Sequence, residues 1–376
     1  SGALLAVTIP IADPGRWFRA HADEVAAMQA SVALAGGYIL GPQVTAFEES
    51  FAGWCNARHA IGVASGTDAL TLTLHALGVA GGEVITSAHT AIATLAAIER
   101  AGATPVLADI SPVSRCLDPD SVRRLLGDAT RAIVAVHIYG HPADMESLHA
   151  LARDRDVPLV EDCAQAHGAA VHGRRVGTLA TAGAFSFYPT KNLGAMGDAG
   201  AVVTDDDDLA RAVRALREYG WNGDRVSESS GYNSRMDELQ AALLRLKLDQ
   251  LNNSIARRRA IAARYDTALR DSVNVQVPQV APGVDHAFHL YVVEVDRRDQ
   301  LEAFLGERGI QTARHYPLTA YRQPAYSNAR RDRNMSGVDR LYNRIVSIPV
   351  FPELSDAEVD TVCLALRDWS TQEDTR

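Results

Sequence analysis

The sequence predicts an α/β protein: a large domain with a mostly parallel sheet between helices (residues 1–250) and a smaller α+β domain (residues 251–376). Three observations carry that expectation. Short apolar runs alternate with segments of helical periodicity from Ile61 to Glu161, the pattern of strands joined by crossover helices. The chemically distinctive residues fall just past the expected strands, where ligands bind in such sheets. From Val273 the texture changes to a Pro- and Val-rich linker, Asn274 to Gly283, before a second set of strands and helices. A prior of roughly 100–200 residues per domain also favours two.

Taken in order, Trp17 to Ala35 reads as a helix ending at Gly36-Gly37, and Val44 to Cys55 as a second. Ile61 to Ala64 is a short strand running into Ser65-Gly66-Thr67-Asp68, after which Leu70, Leu74 and Leu77 recur at helical spacing until Gly78. Such a turn can hold an anion, because the N–H groups of the first helical turn and the helix dipole favour negative charge and Gly66 permits close approach. The same residues can equally cap the helix, with Ser65 and Asp68 as a capping box. Strands at Val84-Ile85, Pro105 to Ala108, Ala132 to His137 and Pro158 to Glu161 then alternate with helices at Ala91 to Ala101, Ser121 to Leu126 and Met145 to Arg153. Asp162 stands at the end of the last of these strands, followed by Cys163-Ala-Gln165-Ala-His167-Gly168. Its carboxylate is either a helix cap or a catalytic group.

The stretch from Ala184 to Val203 reads strand, loop, strand. Pro189 forbids a helix, and Gly194, Gly197 and Gly200 let the chain turn before Ala201-Val-Val203 resumes an extended run. Lys191 is thereby held on a Gly-lined loop with no charged neighbour from Ala184 to Gly197. Desolvation there lowers an amine's pKa and frees its lone pair, which makes Lys191 a candidate Schiff-base nucleophile; the plain alternative is a lysine snorkelling from a loop.

Beyond it, the acids Asp205 to Asp208 precede a helix from Leu209 to Tyr219 and suit its positive end. Tyr232-Asn233-Ser-Arg235-Met-Asp237 opens a long helix with Leu239, Leu243 and Leu246 on one face, and Arg257-Arg258-Arg259 reads as a wet face. The second domain offers a strand from His289 to Val295, a helix from Leu301 to Arg308, a strand from Gln311 to His315 and a final helix from Asp356 to Trp369.

Composition narrows the function. Apolar content of 47% and charged content of 22% suit a soluble enzyme, and a net charge of -9 argues against a nucleic-acid surface while permitting a local basic pocket. Cys55, Cys116, Cys163 and Cys363 have no Cys-x-x-Cys spacing, so neither a disulfide framework nor a zinc site is indicated, and a reducing cytoplasm fits. No apolar run reaches the length of a membrane span.

Together Ser65-Gly-Thr-Asp-Ala69, Val160-Glu-Asp-Cys-Ala-Gln165, Phe185-Ser-Phe-Tyr-Pro-Thr-Lys191, Gly197-Asp-Ala-Gly-Ala201 and Tyr232-Asn-Ser-Arg-Met-Asp-Glu-Leu-Gln-Ala-Ala242 resemble the DegT/DnrJ nucleotide-sugar aminotransferases in order and spacing. The resemblance runs from about Ile9 to Trp369. It implies a PLP-dependent transferase of fold type I that uses pyridoxal 5'-phosphate, L-glutamate and a nucleotide sugar. Lys191 would hold the cofactor and act as base, and Asp162 would keep the pyridine nitrogen protonated. Gln165 would bind the phenolic oxygen, and Gly66, Thr67 and Ser186 would cradle the phosphate. Asn233 matches a residue reaching the neighbour's phosphate, which implies a homodimer with shared sites. His89, His167, Tyr188, Arg235, His315 and Tyr316 are candidate substrate residues. Ala91 departs from the pattern, since many relatives place an aromatic there over the ring.

Gln165-Ala166-His167-Gly168 and His315-Tyr316-Pro317 resemble the subgroup that aminates C3 of dTDP-3-keto-6-deoxyhexoses. A C4 aminotransferase and a scyllo-inosose-type ketocyclitol aminotransferase are the alternatives that keep the reaction. A sugar dehydrase on this fold carries histidine in place of Lys191, and a purely regulatory protein would have no need of Lys191, Asp162, Ser186 and Asn233 together.

Overall fold

The computed structural model describes residues 8–373. Seven strands form one sheet in the order His59–Val63, Gly200–Thr204, Ala182–Ser186, Leu159–Asp162, Thr130–Val136, Glu83–Ser87 and Thr104–Ala108. Only Gly200–Thr204 runs against the others, so the sheet is mostly parallel as the alternation predicts. Two apolar clusters enclose it, one containing Leu70, Leu95 and Ile133, the other Phe47, Phe51, Phe185 and Phe187. Burial on both faces explains why these strands read as continuous apolar runs. A third cluster, around Tyr291, Val346 and Leu366, lies beneath an antiparallel sheet of Val275–Gln276, Tyr291–Val295 and Ile345–Ile348. Among the described residues no helix is long and apolar enough to cross a membrane.

Several expected elements differ. The first helix is broken at His21 into Gly15–Ala20 and Ala22–Ala35. Tyr232 to Asp237 is extended and the helix begins only at Glu238, because Ser234 is spent on tertiary bonds: its hydroxyl donates to Asp68 (2.8 Å) and accepts from the Ala64 N–H (3.2 Å). On that helix Leu239 is exposed, whereas Ala241, Ala242, Leu243, Leu244 and Leu248 are buried. Glu238 is buried too, and its carboxylate accepts from the N–H groups of Gly41, Gln43 and Val44, capping the helix Pro42–Cys55 from 194 residues or more away. Gln311 to His315 forms no strand and makes a single bridge, Ala313 to Ser347. Arg258 is no wet face: it is buried, and its Nη1 donates to the carbonyls of Phe288, His289 and Val350.

Candidate active site

The carboxyl ends of the parallel strands surround a cavity of about 310 Å³. Strand His59–Val63 delivers Ser65, Gly66 and Thr67, strand Leu159–Asp162 delivers Asp162 and Gln165, and strand Ala182–Ser186 delivers Ser186, Tyr188 and Lys191. Residues from three separate stretches of sequence therefore meet because a parallel sheet points all its strand ends one way.

Ser65 caps the helix Gly66–Ala76, its hydroxyl accepting from the Asp68 N–H at 3.1 Å. Asp68 turns instead to Arg100 (2.7 Å) and Ser234. The cap and the anion-binding reading hold together, since the N–H groups of Gly66 and Thr67 have no partner among the described residues and Gly66 and Thr67 line the cavity. A Cβ on Gly66 would lie 2.4 Å from the Ser186 Cβ, so only glycine lets this turn close against the Ser186 hydroxyl.

Asp162 is buried, with Oδ2 accepting from the Thr94 hydroxyl at 2.8 Å and Oδ1 from the Ala164 N–H at 3.1 Å. Thr90 extends that chain, its hydroxyl 2.8 Å from that of Thr94. The Gln165 carbonyl accepts from the Tyr139 N–H (2.6 Å) and its amide donates to the Tyr316 hydroxyl (2.7 Å), which fixes both ends of the side chain. Lys191 has no hydrogen-bond partner for its amine among the described residues, and burial pushes the amine down to about 8, against the opposing pull of the Asp162 charge. These features fit pyridoxal phosphate: a lysine amine without a partner, a buried carboxylate held by two donors, and a tight N–H and hydroxyl cradle suited to a phosphate.

The remaining expected residues divide. Tyr188 is half exposed at the rim, and Tyr316 is placed by Gln165. His315 lines a neighbouring cavity instead, with Nδ1 2.8 Å from the Ser347 hydroxyl, and burial pushes it down to about 4. His89 and His167 line neither cavity. The His89 ring is buried with Nε2 2.6 Å from the Tyr139 hydroxyl, and the His167 ring packs among Phe185 and Phe187; burial pushes both down to about 3. Arg235 lies over the Tyr219 ring at 5.9 Å, and Asn233 is exposed away from the cavity. Ala91 lines the wall, where its methyl leaves the cavity face open. Sequence reasoning missed Thr94 and Tyr139; Thr94 lies in the first turn of the helix Ile92–Arg100, which follows the end of strand Glu83–Ser87.

Fold and cavity define a PLP-dependent transferase of fold type I. Residues 20–367 match the DegT/DnrJ/EryC1/StrS aminotransferase family, and the chain belongs to that family of PLP-dependent sugar aminotransferases. It is 42% identical, over 97% of both chains, to the dTDP-3-amino-3,4,6-trideoxy-alpha-D-glucose transaminase of Streptomyces venezuelae. The crystal structure of S. venezuelae DesV in complex with a ketimine intermediate superposes with a TM-score of 0.94 at 41% identity, covering 96% of this chain and 98% of that one. NtdA from Bacillus subtilis, solved with bound cofactor PMP, superposes with a TM-score of 0.90 at 26% identity, covering 99% of this chain and 87% of that one.

With its amine lowered to about 8 by burial, Lys191 as the attachment point would make the capture of PLP by cofactor-free protein pH-dependent in a defined way. Only the free amine attacks, so the second-order rate should rise about tenfold per pH unit well below 8 and level above it. Stopped-flow absorbance checks this; a rate still climbing at pH 10 would mean an ordinary, solvated lysine.

Proposed function

We propose that the protein transfers an amino group from L-glutamate to C3 of a dTDP-3-keto-6-deoxyhexose in deoxyaminosugar biosynthesis. The observation that carries this reading is the 2.7 Å hydrogen bond that Gln165, on the cavity wall, donates to the Tyr316 hydroxyl. The two short segments that resemble the C3 subgroup, 151 residues apart in sequence, are thus in contact through these two side chains. The 42% identity to a C3-amino sugar transaminase supports it.

PLP, when bound, supplies an aldehyde that takes up the amine and a ring that draws electrons from the reacting carbon. The chain does the rest. Lys191 Nζ would hold the cofactor and, when free, would move a proton at the donor's α-carbon. Asp162, oriented by Thr94 and the Ala164 N–H, holds a proton on the ring nitrogen. Gly66, Thr67 and Ser186 bind the phosphate, and Gln165 orients the phenolic oxygen. Exposed Asn233 serves the phosphate of a second subunit, which makes the working form a homodimer. Four buried, unpaired cysteines favour the cytoplasm, and the large and small domains divide near residue 250.

With L-glutamate as donor, kcat/KM for a dTDP-3-keto-6-deoxyhexose should exceed that for the matching 4-keto sugar by at least about a hundredfold, the loss expected when the reacting carbon is misplaced by an ångström. Preference for the 4-keto sugar overturns the C3 assignment. Inertness to both sugars with activity on scyllo-inosose favours the ketocyclitol reading. The shared site has its own test: mixing Lys191→Ala with an impaired Asn233 variant should restore up to about half of the heterodimer's sites, because one site then carries both defects and the other neither. No recovery after verified subunit exchange contradicts the dimer.

A further inference from the structure

Lys191 also lines a second cavity, of about 160 Å³, bounded by Lys247, Arg258, Asn192, Ser254 and His315. The chain holds only two lysines among its 376 residues, and both face this space. Lys247 lies on the helix Glu238–Leu248 and donates to the Gly194 carbonyl at 2.6 Å, with its ammonium 5.0 Å from the Trp17 ring centroid. An ammonium has three donors, so this contact leaves capacity for a ligand. Arg258, on the helix Leu251–Ala268, is buried beside it. Of the two acids on the wall, Asp13 is taken up by Arg16 and Arg19, so Glu353 alone offsets Lys247 and Arg258, with the Lys191 amine a third basic group beside them. Neighbouring His289 and His315 are held neutral by burial and add no charge.

A cavity with surplus positive charge and poor access to water favours a small anion that completes its charge balance. Its volume is room for about five waters, enough for a carboxylate with a few methylenes and too small for a nucleotide sugar. The amine on its wall is the one that must meet the donor's α-carbon. We infer that this cavity is the subsite for a carboxylate of the amino donor, with Lys247 as its anchoring cation. The inference rests on the aminotransferase reading and on L-glutamate as donor, and is independent of the acceptor's identity.

The rival role for Lys247 is to steady the Lys191 loop through Gly194, and the two half-reactions separate the roles. In Lys247→Met, followed by the spectral change of the cofactor, the L-glutamate concentration for half-maximal rate should rise at least about tenfold, the effect of one lost charge-assisted contact. The half-reaction of the aminated enzyme with keto sugar should be unchanged. Equal losses in both half-reactions, or an unchanged glutamate requirement, overturn the inference. Should the variant not fold, the unsubstituted holoenzyme still decides. There the cofactor occupies Lys191, so Lys247 is the one lysine left for acetic anhydride. Glutarate, a dicarboxylate with no amine, should slow Lys247 acetylation about tenfold at about ten times its Kd, read by peptide mass spectrometry. Acetylation at an unchanged rate under glutarate concentrations that inhibit the glutamate half-reaction contradicts the subsite. Neither measurement uses a 3-keto sugar to read donor binding, so a failed C3 assignment would leave this inference standing.

Discussion

Lys191→Ala should leave a folded protein with no transamination above the background of free PLP. In the proposed mechanism both half-reactions need this amine, first as the group that holds and releases the cofactor and then as the base that moves a proton. The fold should tolerate the change. The amine makes no hydrogen bond among the described residues, and burial already disfavours its charge, so truncation removes an uncompensated group rather than a structural contact. Thermal melting tests the fold and coupled detection of 2-oxoglutarate tests turnover. Turnover above background in the folded variant would mean that another group performs the chemistry; Lys247, the one other lysine, would be the first to examine.

Asp162→Ala is the second large effect. In the proposed mechanism the carboxylate keeps the pyridine nitrogen protonated, and without it the ring would be a poor electron sink. Turnover should fall by several orders of magnitude, at least the ~10²–10³-fold that follows removal of one electrostatic stabiliser. The variant also strips the Thr94 hydroxyl and the Ala164 N–H of their acceptor, costing about 1–3 kcal/mol of stability for each group left unpaired. PLP affinity should weaken with it, measured by dialysis against limiting cofactor. Kinetics near those of the unsubstituted enzyme would show that a different group protonates the ring.

The sheet was legible because burial on both faces writes itself as uninterrupted apolar runs; Val84-Ile85 and Pro158 to Glu161 are seen in sequence and found in place. The cavity residues were legible for a related reason. Strand ends in a parallel sheet converge, which singled out Asp162; Lys191 was legible from its uncharged, Gly-lined loop and Ser186 only through the family resemblance, and all three line one cavity. What escaped depends on partners far away in the chain. Arg258 reads as one of three exposed arginines, and only the carbonyls of Phe288, His289 and Val350 draw it inside. Tyr232 to Asp237 looks like the first turn of a helix until Ser234 is seen bonded to Asp68. His89 and His167 look like ligand groups beside the site, but their rings are packed behind it.

The measurement that bears most directly on the whole account is isotopic. Incubating the enzyme with ¹⁵N-labelled L-glutamate and a dTDP-3-keto-6-deoxyhexose should give, by two-dimensional NMR, a sugar with the label on C3 and an equal amount of 2-oxoglutarate. Label at another ring carbon, or an unlabelled sugar beside unconsumed glutamate in the presence of bound PLP, would contradict it.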